Sequence, residues 1–358
     1  MGPDAVSDVA GPGRLAGPWR KEPGWRVVGS RPLDASKVQA PGAVLAPDGR
    51  VRLFYTGVGP GKPFAACQGY LLSAVSDDGV TFQVEEGIRL APRPEIPWLS
   101  LRAIAPSVVA IRGGWRMYFE ARGPATRPTV IASAVSADQL AWELEPGIRV
   151  EAGEGVGAPR FRWLDDGAGL LSCWVRVRLA GTDGVERDTQ AVMSTRTTDG
   201  LAFTPDPGLR LVPLTGEHDS AGITAAEVVP PEAPGEPWSM VFSAWQDRPA
   251  GWPEPLHPAH DPDAVANGRS EDFAAASIAA DLSGYRSRLF LATSEDGVTY
   301  AGAWLLLEGD GYGGRDLDAV HAEDMALLTM PDGTLRMYYA GCDVTGRWGV
   351  LSAVAPSG

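Results

Sequence analysis

The sequence predicts an all-β chain, a five-bladed β-propeller with four short antiparallel strands per blade. Three observations predict it. An acidic, glycine-centred turn recurs as SDDGVTF from Ser76, TTDGLAF from Thr197 and SEDGVTY from Ser294. Alternating apolar strands flank every copy. Gly and Pro number 44 and 31 in 358 residues, which favours turns and short strands over long helices.

Extended outward, the copies read LLSAVSDDGVTFQVEEGIRLAP from Leu71, IASAVSADQLAWELEPGIRVEA from Ile131, VMSTRTTDGLAFTPDPGLRLVP from Val192 and LFLATSEDGVTYAGAWLLLEGD from Leu289. Each is a strand, an acidic turn and a second strand. A further strand pair precedes each copy, beginning at Ala40, Ala105, Ala158 and Ala225, and again at Glu323. Units of this length that repeat four short strands read as propeller blades. The fifth unit stops after WGVLSAVA (Trp348 to Ala355), so GWRVVGS (Gly24 to Ser30) is expected to supply its outer strand, closing the ring and removing two exposed edges. Residues 1–23 then read as a flexible leader and 24–358 as one domain. The blade-four connection at about 246–281 is far longer than its counterparts, as lids and binding loops are.

Net charge is −14 with no basic cluster, which disfavours nucleic acid or an anionic membrane as partner. No apolar run reaches the length of a membrane-spanning helix. The first residues lack the basic start and apolar core of a signal peptide. Cys67, Cys173 and Cys342 are far apart and odd in number, so no disulfide framework is expected and a cytoplasmic location fits.

In the repeated turns, Asp78, Asp199 and Asp296 are placed to accept local backbone N–H groups, while Gly79, Gly200 and Gly297 supply positive φ. These turns resemble the Asp box of sialidases and related propellers, which implies a structural turn at the blade periphery rather than a metal site.

Ligand chemistry on a propeller is expected at the channel mouth, where the innermost strands start. Blade five is the most polar there: RDLDAVHAED carries Arg315, Asp316, Asp318, His321, Glu323 and Asp324. Strand alternation puts His321 and Glu323 on one face. With Asp324 they are candidates for acid–base work, and His218 in the blade-four strand start brings a second imidazole. At the rim, MYFEARG ends in Glu120 and Arg122, and Trp245 and Asp247 open the long loop, which also carries Trp252, His257 and His260. Aromatic faces of this kind suit sugar rings. Arg102 and Arg160 are suited to an anionic group on a ligand, or to pairing with Glu227, Glu323 or Asp324. The His and carboxylate side chains are acceptable metal ligands, but no ligand-spaced motif is present, and neither metal nor other cofactor is expected.

Five blades, Ala-Pro on the innermost strand and YTG or YYAG on the second resemble the five-bladed glycosidase propellers of glycoside hydrolase families 43 and 32, over about residues 24–355. The resemblance implies a blade-one Asp as base or nucleophile, a blade-two or blade-three Asp that tunes the acid, and a blade-four Glu that protonates the leaving group. Here Ala40-Pro41 and Ala158-Pro159 stand at the blade-one and blade-three positions, and Ala105-Pro106-Ser107 in blade two. Glu227 matches the blade-four acid and is expected to donate a proton, and His321 matches a blade-five histidine near the axis. The expectation is an enzyme with a reassigned central site, performing acid–base chemistry on a sugar-derived or specialised small polar metabolite. The alternatives are an exo-acting glycoside hydrolase with displaced carboxylates, or a non-catalytic carbohydrate-binding propeller.

Overall fold

The structure, a computed structural model, describes residues 14–59, 68–124, 126–180, 184–213, 222–246, 251 and 286–355. The long connection expected at 246–281 lies almost wholly outside these residues. Among them there is no α-helix: a 3-10 turn at Arg14–Ala16 precedes β1 (Arg20–Lys21) and β2 (Val27–Val28). The first four-stranded unit follows as β3 (Lys37–Leu45), β4 (Val51–Val58), β5 (Gly69–Ser76) and β6 (Gln83–Val84). The second is β7 (Arg102–Ile111), β8 (Gly114–Arg122), β9 (Val130–Ser136) and β10 (Glu143–Leu144). The third is β11 (Val156–Trp163), β12 (Gly169–Ala180), β13 (Glu186–Thr197) and β14 (Thr204–Pro205). The fourth is β15 (Gly222–Val229), β16 (Trp238–Gln246), β17 (Arg286–Ser294) and β18 (Ala301–Leu307). The last comprises β19 (His321–Thr329), β20 (Leu335–Cys342) and β21 (Trp348–Val354). Within each unit successive strands pair antiparallel.

The middle strands are buried on both faces; β4 and β21 are buried along their whole length. That accounts for their continuous apolar runs, since a neighbouring unit covers each side. One cluster of Tyr118, Ile131, Phe161, Leu171 and Val175 joins the second unit to the third, and another of Leu170, Val192, Ile223 and Phe242 joins the third to the fourth.

At the periphery the acidic turns are held as the sequence predicts. Asp78 Oδ1 accepts the N–H groups of Val80 and Thr81, both at 2.7 Å, and Ser76 Oγ accepts that of Gly79 at 2.9 Å. Asp138, Asp199 and Asp296 repeat the pattern. Gly79 and Gly200 sit at φ +71° and +74°, and a Cβ on either would strike an arginine of the adjoining unit. Each turn is also gripped from that unit: Tyr118 OH donates to Gly200 O and Tyr338 OH to Gly79 O, both at 2.8 Å.

The fourth-strand segments share a second device. Glu85, Glu145 and Asp206 each accept a hydroxyl from the third strand, Ser73, Ser133 and Ser194, at 2.6 Å. Each also faces an arginine, Arg52 and Arg116 on the second strand of their units and Arg196 on the third strand of its own. In the last unit the same socket is filled from the N-terminal segment: Glu22 accepts from Ser352 at 2.6 Å and from Arg336 at 3.0 Å. EPGWR (residues 22–26) is thus a fourth copy of EEGIR (85–89), EPGIR (145–149) and DPGLR (206–210). The closing arginines agree. Arg89 donates to Leu140 O at 2.9 Å in the next unit's turn, and Arg26 donates to Val80 O at 2.8 Å.

Both β1 and β2 pair with β21, so the pairing partner of the last strand begins earlier than Gly24. Leu15 and Trp19 are buried in the core cluster beside Met337, Leu351 and Ala353. Residues 14–23, expected as part of a flexible leader, are therefore packed structure. The packed structure starts before Gly24 because Glu22 fills the fourth-strand socket of the last unit.

Candidate functional site

Every inner strand breaks its register at one rung: between Gln39 and Gly42, Ile104 and Ser107, Gly157 and Arg160, Ile223 and Ala225, and Glu323 and Ala326. A bulge of this kind bends the strand locally and re-aims its side chains. At four of these bulges a non-glycine residue takes positive φ: Ala40 at 49°, Ala105 at 52°, Ala158 at 46° and Asp324 at 55°. This conformation is costly for most L-residues and best tolerated by Asp and Asn. Thr224 occupies the fourth bulge. The fifth inner strand therefore puts Asp324 where the first three place alanine.

Side chains of adjoining second strands hold these bulges. Thr56 Oγ1 accepts the Ala105 N–H at 2.9 Å, Glu120 Oε2 the Ala158 N–H at 3.0 Å and Ser243 Oγ the Asp324 N–H at 3.1 Å. Thr224 Oγ1 bonds to the same Ser243 hydroxyl. Gly157 makes the second contact possible, since a Cβ there would lie 2.1 Å from Glu120 Oε2 and 2.4 Å from Trp174 Cζ2.

Arg160 is buried between the inner strands. Its guanidinium donates to backbone carbonyls: Nε to Met325 O at 2.8 Å, Nη1 to Pro159 O at 2.9 Å, and Nη2 to Pro41 O at 3.3 Å and Asp324 O at 3.4 Å. It thereby ties the first, third and fifth inner strands together. These bonds go to backbone carbonyls, and not to the carboxylates of Glu227, Glu323 or Asp324 that were expected as its partners.

Asp324 keeps some contact with solvent, yet protein surrounds it deeply enough that burial raises its carboxyl to about 6. Arg160 acts in the opposite direction, Glu120 adds to the rise, and Lys37 and Arg122 oppose it. Those groups mark its surroundings. Glu120 is almost fully buried and is also bonded by Arg122 Nε. Trp245 Nε1 donates to Glu323 Oε2 at 3.2 Å. Of the residues expected at the mouth, the structure pairs Glu120 with Arg122 and Glu323 with Trp245, and Glu120 and Arg122 act electrostatically on Asp324. Arg102 is half-buried at the start of β7. His218 and Asp247 lie outside the described residues, as do Trp252, His257 and His260.

His321 and Glu227 are placed differently from a shared catalytic centre. His321 is buried; its Nδ1 accepts the Ser287 N–H at 3.2 Å, and its ring stacks on Trp348 with centroids 5.4 Å apart. Its pairing residue across β20 is Cys342. Glu227 lies three positions along β15 from the Thr224 bulge; its Oε2 accepts the Leu327 N–H at 3.0 Å and its Oε1 faces Arg162 Nη2 at 3.4 Å. These contacts bridge the third, fourth and fifth inner strands. Asp316 and Asp318 are engaged by Lys21 at 2.9 and 2.8 Å, and Tyr339 OH donates to Asp318 at 2.9 Å. Among the described residues, no group of three or more His, Cys, Asp or Glu converges as a metal ion would require.

Sequence reasoning missed Lys37, which lies 4.0 Å over the Trp348 ring and within electrostatic reach of Asp324. It also missed Ser243, Thr224 and Gly157. Counting back from the aligned turns Asp48-Gly49 and Asp332-Gly333 pairs Ala40 with Asp324, a signal the alignment from Glu323 obscured.

No family model and no curated protein sequence matches the chain. Solved structures do. A β-1,2-mannobiose phosphorylase from Listeria innocua, in complex with β-1,2-mannobiose, superposes with a TM-score of 0.66 at 14% identity, over 94% of this chain and 96% of that one. A structure from the GH130 family of mannoside phosphorylases, described as containing hydrolases that target β-1,2 mannosidic linkages in Candida mannan, gives 0.62 at 14% identity over 99% of both chains. A thermostable family-43 glycoside hydrolase gives 0.60 at 15% identity over 92% and 93%. The chain is similar in fold to glycosidase-like β-propellers.

Proposed function

We propose that the five units close into a five-bladed propeller and that its mouth is the site of a carbohydrate-active enzyme. The ring reading is supported by the Glu22 socket and the Arg26 latch, which repeat between the last unit and the first what the other units do among themselves. The observation that carries the function is Asp324. It is the one carboxylate on the bulge rung that the other inner strands fill with Ala40, Ala105, Ala158 and Thr224.

Cleaving a glycosidic bond requires a proton for the departing oxygen and an acceptor at the anomeric carbon. A carboxyl raised to about 6 is protonated often enough near neutrality to supply the first, and matches the acidity that makes a general acid effective. Glu120 stays engaged by the Ala158 N–H and Arg122, and so fixes the shape and charge of the mouth rather than moving a proton. Glu323, oriented by Trp245, is the second carboxylate available to substrate.

Lys37 and Arg122 near Asp324 favour a second reading, in which an anionic acceptor such as phosphate replaces water. The mannoside phosphorylases among the structural neighbours are consistent with it.

The test is turnover of aryl glycosides and of β-1,2-mannobiose, each with and without inorganic phosphate, by wild type and Asp324→Asn. The reading predicts activity in wild type and a loss of about a hundredfold or more in the variant. An active Asp324→Asn enzyme overturns it.

A further inference from the structure

Among the described residues, the third unit differs from the others at the mouth end. Its second and third strands, β12 and β13, are each 12 residues long, whereas β4, β8, β16 and β20 have 8 or 9 and β5, β9, β17 and β21 have 7 to 9. The extra length lies at the bulge end. The inner strand β11 stops pairing at Val156 opposite Val175, but β12 and β13 remain paired from Arg176 opposite Gln190 to Ala180 opposite Glu186. At about 3.4 Å per residue this hairpin stands roughly 15 Å beyond its own inner strand. Its base leans on the start of β15, where Gly222 lies close to Thr189 and Gln190.

Among the described residues, one face of the extension packs through Val177 on the neighbouring cluster, while the other is mostly exposed. Arg176, Arg178, Ala180, Glu186, Arg187 and Asp188 are exposed. Its ion pair, Arg178 to Glu186 at 3.2 Å, is two-thirds exposed on both sides, and such pairs contribute little stability. Alternation places Arg176 and Arg178 on the face of β12 that carries Trp174, and Trp174 packs with Ala40, Ala105 and Ala158 at the axis. The face that begins at the bulge rung therefore continues upward as guanidinium groups beside Gln190 and Asp188, a row of donors and acceptors suited to sugar hydroxyls.

We propose that the β12–β13 hairpin is a wall that binds the distal residues of an oligosaccharide whose terminal residue occupies the Asp324 site. This rests on the carbohydrate reading of that site and names its substrate class as oligomeric. The wall is a specificity element with no part in bond cleavage.

The experiment measures binding by isothermal titration calorimetry to mono-, di- and trisaccharide ladders of β-1,2-mannose, β-1,4-xylose and α-1,5-arabinose. Four proteins are compared: wild type, Arg176→Ala/Arg178→Ala, a shortened hairpin with Asn-Gly replacing residues 178–188, and Asp324→Asn. The charged double variant changes exposed side chains only, so it reports even if the shortened chain does not fold. Wild type and Asp324→Asn are expected to bind one trisaccharide at least about tenfold more tightly than its monosaccharide, as hydrogen bonds to charged groups allow. Both hairpin variants should lose that ratio and keep monosaccharide binding. An unchanged ratio in the double variant overturns the wall. A shortened hairpin that alters oligomeric state but not the ratio assigns the extension to contact between copies instead. Sugars bound without length dependence defeat the wall alone; no sugar bound at all defeats the site reading with it.

Discussion

The rim and the axis of this molecule are built from the same repeat but hold it in different ways. At the rim the side chains recur. Asp78, Asp138, Asp199 and Asp296 accept the same backbone donors, and Glu22, Glu85, Glu145 and Asp206 accept the same serine hydroxyls. At the axis it is the backbone bulge that recurs, while the side chains on it diverge into Ala40, Ala105, Ala158, Thr224 and Asp324. A rim residue is replaceable by its counterpart in another unit. Asp324 has none, and that uniqueness on a shared backbone position is the ground on which chemistry is proposed there.

The largest effect is expected where the axis is unique. Asp324→Asn keeps volume and tolerates positive φ, so the fold should persist while turnover falls by about a hundredfold or more. Glu227→Gln, assayed beside it, should retain most activity if Glu227 only bridges Leu327 and Arg162; the reverse order would restore Glu227 as the acid.

Glu22→Ala comes next. It strands Arg336 and Ser352 at the junction of the chain's two ends, and breaking a largely buried pair costs about 3 kcal/mol. Urea denaturation should show a lower midpoint, and an unchanged midpoint would argue against the N-terminal segment as the fifth outer strand. Gly157→Ala is expected to cost about 1–3 kcal/mol, since its Cβ would meet Glu120 Oε2 and Trp174. It should disturb the mouth as well as stability, which equilibrium unfolding and ligand titration on the same sample would reveal.

The smallest effects are those of pH, and they run in opposite directions. Backbone N–H donors hold Asp78 well below its ordinary range and Asp199 at about 2. Their contribution is present above pH about 4 and lost as pH falls through the folded values. Asp324 is raised to about 6 by burial, so the folded state binds its proton more readily between pH about 4 and 6, and its effect on stability worsens as pH rises through that window. Melting temperatures of wild type and Asp324→Asn should therefore converge near pH 4 and separate above 6, with the variant higher. Parallel curves would remove the contrast between the two regions.

The repeat, the strand pairs and the acidic turns were legible because local rules specify them: alternation, glycine at positive φ, and Asp beside free backbone donors. The N-terminal copy EPGWR is equally local, but its Glu22 and Pro23 precede the Gly24–Ser30 strand that alternation marks out. The site was harder to read. Polarity set His321 beside Asp324 and the family resemblance added Glu227, and burial against specific partners separates them: His321 meets Ser287 and Trp348, and Glu227 the Leu327 N–H. Arg160 shows the same limit. A buried guanidinium can face a ligand or saturate carbonyls, and only the bulges of three inner strands converging on it supply the carbonyls it meets.

The central claim is that the axis retains one carboxyl held near neutrality. Carboxyl-carbon NMR of aspartate-labelled protein, with Asp324→Asn to assign the resonance, titrates that group directly and needs no substrate. The account predicts a midpoint for Asp324 of about 6, shifting downward in Glu120→Gln because the neighbouring negative charge is removed. A midpoint near 4, unmoved by Glu120→Gln, would contradict it.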